Sequence, residues 1–439
     1  MSAVVNESIS SYEDAPFGKI HRKVISGGML GQFSDGYILG IIGIAMSLAA
    51  SSLQLNSFWE GLIGSASLLG LLVGSFFIGP VADLLGRKYI YYTTMLMFFM
   101  VSLAQFFVTN PMELLVLRFA LGVAIGADYA VGLTLVSEWT PRALRGRVLS
   151  FLMVMWVCGY TSAYCVGYVM QLFDGEVWRW ILVSCAVPSA AALYLRMGTP
   201  ESPQWLFGKG KTEKALKLVH KYVGESFGLP PQEIRTESSS WFELFRPAWR
   251  RNTMVGAVFY ACQVIPYFAI GTFLPKLMLS LNIEDPYASG ILFNAFLLVG
   301  VLLGMWLINK IPRRLFLYGS FYLCAIALTV MAVYSGNATT ALAALSVFSF
   351  IISAASVLEF AYPPELFPTS LRASGVGVVV AASRLGGAAG TFLLPIVMES
   401  LGTEAALFGC VVALLVGGVV CHRYAPETSL KNVKASLAH

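Results

Sequence analysis

GPVADLLGRK at positions 79–88 is informative about the architecture of the protein, because related residues occur again in the second half of the chain. It ends a long apolar run, and MWLINKIPRR at positions 305–314 ends another. Asp83 in the first stretch corresponds to Asn309 in the second, about 226 residues later. A motif that recurs at the ends of two apolar runs indicates an internal repeat.

Two further pairs of motifs recur at nearly the same distance. EWTPRALRG at 138–146 and ELFPTSLRA at 365–373 both read E-x-x-P-x-x-x-R, and PESP at Pro200 corresponds to PETS at Pro426. Each copy follows an apolar run. Three coincidences at one period therefore predict a duplicated unit.

Composition places both copies in a membrane. The chain has 439 residues, of which 57% are hydrophobic and only 12% are charged, and this excludes an ordinary soluble domain. A membrane-spanning helix needs about 20 mainly apolar residues. Windows of this kind predict twelve spans, near 24–50, 58–82, 89–109, 112–137, 148–173, 178–197, 252–280, 288–309, 314–335, 340–362, 373–398 and 403–422.

The repeat and the spans together predict an all-α membrane protein with three parts. Residues 1–198 form an N-terminal six-helix bundle, and residues 251–439 form a C-terminal one. Residues 199–250 form a cytoplasmic linker, in which TEKALKLVHKYV has the pattern of a short amphipathic helix.

The basic residues predict the orientation of the spans. They fall before the first span and in alternate loops, at Lys19, Arg22, Lys23, Arg87, Lys88, Arg142, Arg145, Arg147, Lys310, Arg313, Arg314 and Arg372. The positive-inside rule then predicts that both termini are cytoplasmic. The net charge of +5 is therefore a topology signal and not evidence for a nucleic-acid partner.

The motifs carry a family resemblance. G-x-x-x-D-x-x-G-R-K, R-F-x-x-G-x-x-x-G at 118–126, E-x-x-P-x-x-x-R-G and P-E-S-P-x-W-L together resemble the major facilitator superfamily. The similarity is to its sugar-porter-like and organic-ion-transporter-like branch, of the metabolite:proton symporter type. It implies two pseudo-symmetric six-helix bundles, a central cavity between them and alternating access by rocking, in a functional monomer.

The resemblance also implies that charges at the loop motifs act in conformational gating. These residues are Asp83, Arg87, Lys88, Glu138, Arg145, Glu365 and Arg372. In the outward-open state Glu138 could pair with Arg145, and Glu365 with Arg372. The alternative is that these charges only set topology and helix ends.

Three charged residues lie near the middle of predicted spans, where an ionisable group costs at least about 2.5 kcal/mol. Counting from the helix ends places Arg384 and Asp35 about 18 Å deep and Asp128 about 15 Å deep. The guanidinium of Arg384 is permanently charged and suits an anionic substrate. The SRLGG segment resembles the place where related carriers use an arginine for anions. The alternative is a structural ion pair.

We predict proton coupling at Asp35 and Asp128, because a cavity carboxylate can take up and release a proton. The Asp35 segment resembles the first-span motif of aromatic-acid and metabolite symporters. A carboxylate locked to Arg384 or Arg118 is the alternative. Arg118 resembles a fourth-span arginine implicated in proton transfer, although a structural role fits it equally well, and Glu359 is a further cavity acid.

Five other side chains are candidate substrate contacts. Gln263 and Tyr267 share a helix face and could hydrogen-bond a substrate or a neighbouring helix, and Asn294 resembles them. Trp156 and Tyr160 also share a face and could stack on a ring, with simple helix packing as the alternative.

The sequence thus predicts a secondary active transporter for proton-coupled uptake of a small organic anion, such as an aromatic, nicotinate-like or other carboxylate. The alternatives are a sugar or polyol carrier, a proton-driven exporter and a membrane sensor without transport activity. An enzyme is not expected, since no nucleophile–base pair or nucleotide loop occurs, and no cofactor or metal is expected, since the seven cysteines lack metal-ligand spacing. The loop at 51–57 is short, whereas the eukaryotic organic-ion carriers that these motifs resemble carry a large extracellular domain there, so the resemblance favours a bacterial inner membrane.

Overall fold

A computed structural model describes residues 10–230, 241–283, 285–368 and 371–428. Twelve helices in these ranges are long and apolar enough to cross a membrane, which confirms the predicted fold class. The first six are α1 Lys19–Ala49, α2 Ser57–Leu85, α3 Arg87–Ala104, α4 Pro111–Trp139, α5 Arg142–Met170 and α6 Val177–Arg196. The other six are α7 Pro247–Thr272, α8 Pro286–Leu307, α9 Arg313–Val333, α10 Ala338–Glu365, α11 Arg372–Leu401 and α12 Thr403–Tyr424.

The helices form two bundles of six. In the N-terminal half α2 packs along α4 and α1 along α5, and in the C-terminal half α8 packs along α10 and α7 along α11. The Trp156 carbonyl of α5 occupies the place where a Cβ on Gly36 of α1 would lie. Glycine at this position therefore allows the two backbones to approach closely. The halves meet mainly where α2 contacts α11 and where α5 contacts α8.

Both chain ends of the membrane domain lie at one face, which we call the terminal face, near Lys19 and Tyr424. At this face the two halves repeat one contact. Glu201 accepts hydrogen bonds from the first two backbone N–H groups of α3, at 3.1 and 3.2 Å, and Glu427 does the same for α9, at 3.0 and 3.1 Å. A carboxylate is favourable at a helix N-terminus. The sequence repeat is thus also a repeat of contacts.

The stretch between α6 and α7 lies at the terminal face and contains short elements. Helices Pro203–Gly208 and Thr212–Tyr222 are followed by a two-residue strand, Phe227–Gly228, which pairs in parallel with Ser10–Ser11. Helix Thr212–Tyr222 buries Ala215 and Val219, as its amphipathic pattern predicts. The division of the chain into residues 1–198, 199–250 and 251–439 remains a prediction.

Candidate substrate and proton sites

The two halves touch at the face opposite the terminal face. Glu60 of α2 forms an ion pair with Lys276, which lies on the short helix Leu274–Ser280 after α7. Beside this pair, the ring of Phe58 lies edge-on to Phe392 of α11, with 5.8 Å between ring centroids. These contacts join the N-terminal half to the C-terminal half. They close the opposite face in this conformation.

The terminal face contains a cavity of about 1020 Å³ between the halves, which we call the entry cavity. Its lining comes from α1, α4, α5, α8, α9, α10 and the loop after α8, and includes Gln32, Ser137, Arg147 and Asn309. Asn309, which the repeat aligns with Asp83, therefore faces the space between the halves. In this conformation the two halves are in contact at the opposite face and are separated by the entry cavity at the terminal face.

A second space, the inner cavity, lies deeper between the halves and has a volume of about 30 Å³. Such a volume holds about two water molecules. Its lining consists of Tyr129, Met153, Trp156, Tyr260, Val264, Tyr267, Phe268, Ser356, Glu359, Phe360 and Arg384. Met153 and Phe360 line the entry cavity as well, so these two side chains stand between the cavities.

Arg384 on α11 lines the inner cavity. The residue is only 7% exposed, and among the described residues its Nε has no hydrogen-bond partner. Its guanidinium carbon lies 5.6 Å from the ring centroid of Tyr129 on α4, in the other half. Among the described residues Arg384 forms no ion pair within 4.0 Å. The structural ion pair considered as an alternative is absent there, and the cation faces the cavity.

Glu359 on α10 lines the same inner cavity. The Tyr260 hydroxyl lies within hydrogen-bonding reach of its carboxylate, and Arg384 is near enough to act on it electrostatically. Within the described part of the chain, the two charges are not in direct contact, since no nitrogen–oxygen distance between them is within 4.0 Å. A buried cation and a partly buried carboxylate therefore line one cavity without direct contact.

Aromatic rings form much of the remaining wall. Trp156 stacks on Tyr160, with 5.5 Å between centroids and an interplanar angle of 23°. Tyr267 of α7 lies 6.3 Å from Trp156 and 6.2 Å from Tyr160. Trp156 and Tyr267 line the inner cavity. The predicted face of α5 thus meets the predicted face of α7 across the two halves.

The predicted amide contacts lie beside this wall. Gln263 is 3% exposed, and its Nε2 has no hydrogen-bond partner, as is true of the Tyr267 hydroxyl. Asn294 on α8 donates through Nδ2 to the Gly290 carbonyl at 2.8 Å, while its Oδ1 has no partner. Neither amide is in the lining of the inner cavity.

Asp128 points into the N-terminal half and forms a buried ion pair with Arg196 of α6. Nη2 of Arg196 donates to Oδ2 of Asp128 at 3.0 Å, and Thr94 donates to Oδ1 at 3.0 Å. Arg196 also donates to the carbonyls of Tyr91 and Gly27, at 2.9 and 3.1 Å. Arg196 is not among the residues predicted from the sequence. The signal for it is Asp128, because a buried carboxylate needs a counter-ion.

Asp35 on α1 is fully buried close to this ion pair. Gln32 donates through Nε2 to Oδ2 of Asp35 at 3.3 Å, and Oδ1 has no partner. Gln32 also lines the entry cavity, so one side chain separates Asp35 from that space. Asp35 therefore lies near Arg196 and is not paired with Arg384 or Arg118.

Arg118 on α4 is 1% exposed and faces α1. Its Nη2 donates to the Ile38 carbonyl at 2.9 Å, whereas Nε and Nη1 have no hydrogen-bond partner. Ile38 lies one turn beyond Asp35 on the same helix. Arg118 is thus placed next to the Asp35 turn without touching the carboxylate.

The charges predicted to act in gating lie at the terminal face, and several of them form ion pairs within one half. The ion pairs are Arg87–Glu138, Arg145–Glu13 at 2.9 Å and Arg313–Glu365 at 3.5 Å. In this conformation Glu138 and Glu365 thus pair with residues at equivalent positions of the repeat, and the pairs suggested for the outward-open state stay a prediction. Lys88 and Arg372 are exposed, and the Asp83 side chain lies outside the described residues.

The chain is similar in sequence to a known protein family. The family described as "Sugar (and other) transporter" matches residues 24–435. The chain is 38% identical over 424 residues to the inner membrane metabolite transport protein YgcS of Escherichia coli, covering 97% of this chain and 95% of the relative. It is 28% identical to the niacin transporter NiaP of Acinetobacter baylyi, covering 87% and 88%.

Solved structures show the same architecture. The xylose transporter XylE from E. coli, in a partially occluded inward-open conformation, superimposes with a TM-score of 0.78 at 17% sequence identity. The match covers 94% of this chain and 99% of that one. At this level of identity the similarity establishes the fold and nothing about the ligand.

Proposed function

The chain belongs to the sugar (and other) transporter family of the major facilitator superfamily, and on that premise we propose that it imports a small organic anion together with protons. Membership makes it a multi-pass membrane transporter of metabolites or sugars. The sign of the substrate charge and the proton coupling are the proposal. We also propose a bacterial inner membrane, a functional monomer and a cytoplasmic terminal face, which carries the basic loops.

One observation carries the choice of an anion. Arg384 is buried, lines the inner cavity and forms no ion pair among the residues that the structure describes. A guanidinium held in this way is costly unless a ligand neutralises it. A carboxylate can accept two parallel hydrogen bonds from it. The similarity to a niacin transporter supports a carboxylate on an aromatic ring.

The N-terminal charges support proton coupling. Arg196 neutralises Asp128 through an ion pair. Asp35 is also buried, and among the described residues one oxygen of its carboxylate has no hydrogen-bond partner. Protonation removes the cost of such a charge. In the present conformation Gln32 connects Asp35 with the entry cavity. We therefore favour Asp35 as the proton carrier, with Arg118, Asp128 and Glu359 as the other candidates.

Tyr129 offers a physical link between the two sites. It follows Asp128 directly in α4, and its ring faces Arg384 in the opposite half. A change of charge at Asp35 and Asp128 can therefore alter the packing of α4 against the substrate-binding cation. Rocking of the halves would break the Glu60–Lys276 pair and open the opposite face.

The decisive experiment measures how wild type and Arg384→Gln distinguish an acid from its uncharged amide. Benzoate and benzamide, and nicotinate and nicotinamide, would compete against a labelled acid for binding to purified protein. Wild type should prefer each acid, and Arg384→Gln should weaken acid binding roughly 10- to 150-fold, which corresponds to about 1.5–3 kcal/mol. Leu385→Gln, on the neighbouring exposed side chain, is the matched control and should keep the preference.

Equal competition by acid and amide in wild type would contradict an anion carrier. A sugar or polyol carrier would then be favoured by the unpartnered Gln263 Nε2, Tyr267 hydroxyl and Asn294 Oδ1, which suit a ligand rich in hydroxyl groups. Uptake against efflux in vesicles of known orientation separates import from export, and absence of any flux would favour a sensor.

A further inference from the structure

We propose that the inner cavity selects ampholytic aromatic acids, whose carboxylate binds Arg384 while a cationic nitrogen elsewhere on the molecule binds Glu359. The carboxylate half of this inference rests on the proposed function. The cation half is new, and it assigns Glu359 to substrate specificity.

The arrangement of the two charges supports it. Arg384 and Glu359 both line the inner cavity, yet in the described part of the chain no nitrogen–oxygen distance within 4.0 Å joins them. Two opposite charges that share a buried cavity attract strongly, and they normally make direct contact when nothing needs the space between them. In this structure Arg384 lies near the ring of Tyr129, and Glu359 lies near Tyr260. A ligand with one charge of each sign would neutralise both.

The walls indicate what joins the two charges of the ligand. Tyr129, Trp156, Tyr260, Tyr267 and Phe268 all line the inner cavity. Their faces and edges suit an aromatic ring through stacked or edge-on contacts, and a positive group beside them gains from the ring electrons as well. An aromatic spacer between carboxylate and cation therefore fits this lining better than an aliphatic chain.

Entry of such a ligand requires side chains to move, because the inner cavity measures only about 30 Å³. Met153 and Phe360 separate it from the entry cavity of about 1020 Å³. Methionine has an unbranched, flexible side chain that adapts readily to a ligand. Displacement of these two side chains would join the cavities into one site.

The test compares two nearly isosteric acids, 4-(aminomethyl)benzoate and 4-ethylbenzoate, and their 3-substituted isomers. Each pair differs by an ammonium group in place of a methyl group. Their equilibrium binding to the purified full-length protein is measured by calorimetry. Wild type should bind the better-fitting ammonium isomer at least 10-fold more tightly than its ethyl counterpart. Glu359→Gln should reduce this ratio to below 3-fold while ethylbenzoate binding stays within 3-fold of wild type.

Two controls isolate the role of the charge. Tyr260→Phe removes the neutral neighbour of Glu359 but keeps the carboxylate, so the preference for the ammonium ligand should remain. Glu359→Asp keeps the charge on a shorter side chain, should retain part of the preference, and replaces Glu359→Gln if that variant does not elute as a monodisperse peak.

The outcomes separate this inference from the function on which it rests. If wild type binds the ammonium and ethyl acids equally and Arg384→Gln weakens both, the inference is overturned and the anion carrier stands. If Arg384→Gln leaves ethylbenzoate binding unchanged, the anion carrier itself fails. If Glu359→Gln keeps the ammonium preference and only abolishes accumulation driven by a pH gradient, Glu359 is a proton carrier and the inference is overturned.

Discussion

Two buried arginines, Arg196 in the N-terminal half and Arg384 in the C-terminal half, have very different surroundings. Arg196 pairs with Asp128 and donates to two backbone carbonyls, and its cation lies 3.8 Å from the Tyr91 ring centroid. Arg384 lines a cavity and leaves Nε without a partner. The first cation is neutralised by the protein, so it holds a bundle together. The second lines the inner cavity and forms no ion pair within 4.0 Å with the residues that the structure describes.

The largest expected effect concerns stability, and it tests whether the two arginines differ as described. Arg196→Met leaves Asp128 buried without its counter-ion and should cost about 3–5 kcal/mol of unfolding free energy. The matched Arg384→Met breaks no ion pair with the residues that the structure describes and should change the unfolding free energy by less than about 1 kcal/mol. Unfolding of the purified variants by detergent titration measures both.

A double variant completes this comparison. Adding Asp128→Asn to Arg196→Met removes the stranded charge and should recover a large part of the lost stability. Equal destabilisation by Arg196→Met and Arg384→Met would show that Arg384 also holds the structure together.

The next effect separates proton coupling in the N-terminal half from substrate binding in the C-terminal half. Asp35→Asn fixes a neutral side chain next to the Asp128–Arg196 pair, so accumulation driven by a pH gradient should fall to the equilibrium level. Exchange against unlabelled substrate inside the vesicles should continue, because the Arg384 site is intact. Uptake and exchange by the same proteoliposomes give both values. Concentrative uptake by both Asp35→Asn and Asp128→Asn would place coupling elsewhere.

A smaller effect tests the geometry of the unpaired cation. Arg384→Lys keeps the charge but not the planar fork, so it cannot bind a carboxylate through two parallel hydrogen bonds. Acid affinity should fall by roughly 10-fold, less than for Arg384→Gln. Competition binding with the acid and amide pairs measures it. If Arg384→Lys binds the acid as tightly as wild type, acid binding depends on the positive charge and not on the planar guanidinium.

The smallest expected effect concerns the paired charges that repeat in both halves. Glu138→Gln weakens the pair with Arg87, and Glu365→Gln weakens the equivalent pair with Arg313. Asp83→Asn alters the same motif. Each change should slow transport while leaving equilibrium substrate binding within a few-fold, because these residues lie far from the inner cavity. Calorimetry beside initial uptake rates decides it, and parallel loss of binding would refute a gating role.

The fold could be predicted from two properties of the sequence, which are the length of its apolar segments and the repetition of its motifs. The predicted span at 112–137 is the helix Pro111–Trp139, and the span at 403–422 is the helix Thr403–Tyr424. The depth of Arg384 also follows from counting along one helix, since rise per residue is fixed. What a single helix determines could therefore be predicted.

Pairings between helices could not be predicted in the same way. Arg196 ends α6 near the terminal face, yet the fold turns it inward to Asp128, 68 residues away in sequence. Glu138 likewise pairs with Arg87 across two helices and not with the nearer Arg145. Hydrophobic patterns specify which segments are buried in the membrane, but they do not specify the rotation of one helix against another.

The Glu60–Lys276 pair has a consequence for the environment in which the protein works. The Lys276 side chain is 35% exposed and that of Glu60 is 10% exposed, so dissolved ions reach this pair from the opposite face alone. A partly exposed pair contributes about 0–1 kcal/mol, which shifts a two-state population by at most about fivefold. We therefore expect the salt concentration at the opposite face to change the fraction of molecules that is closed there, even when the salt concentration at the terminal face stays the same.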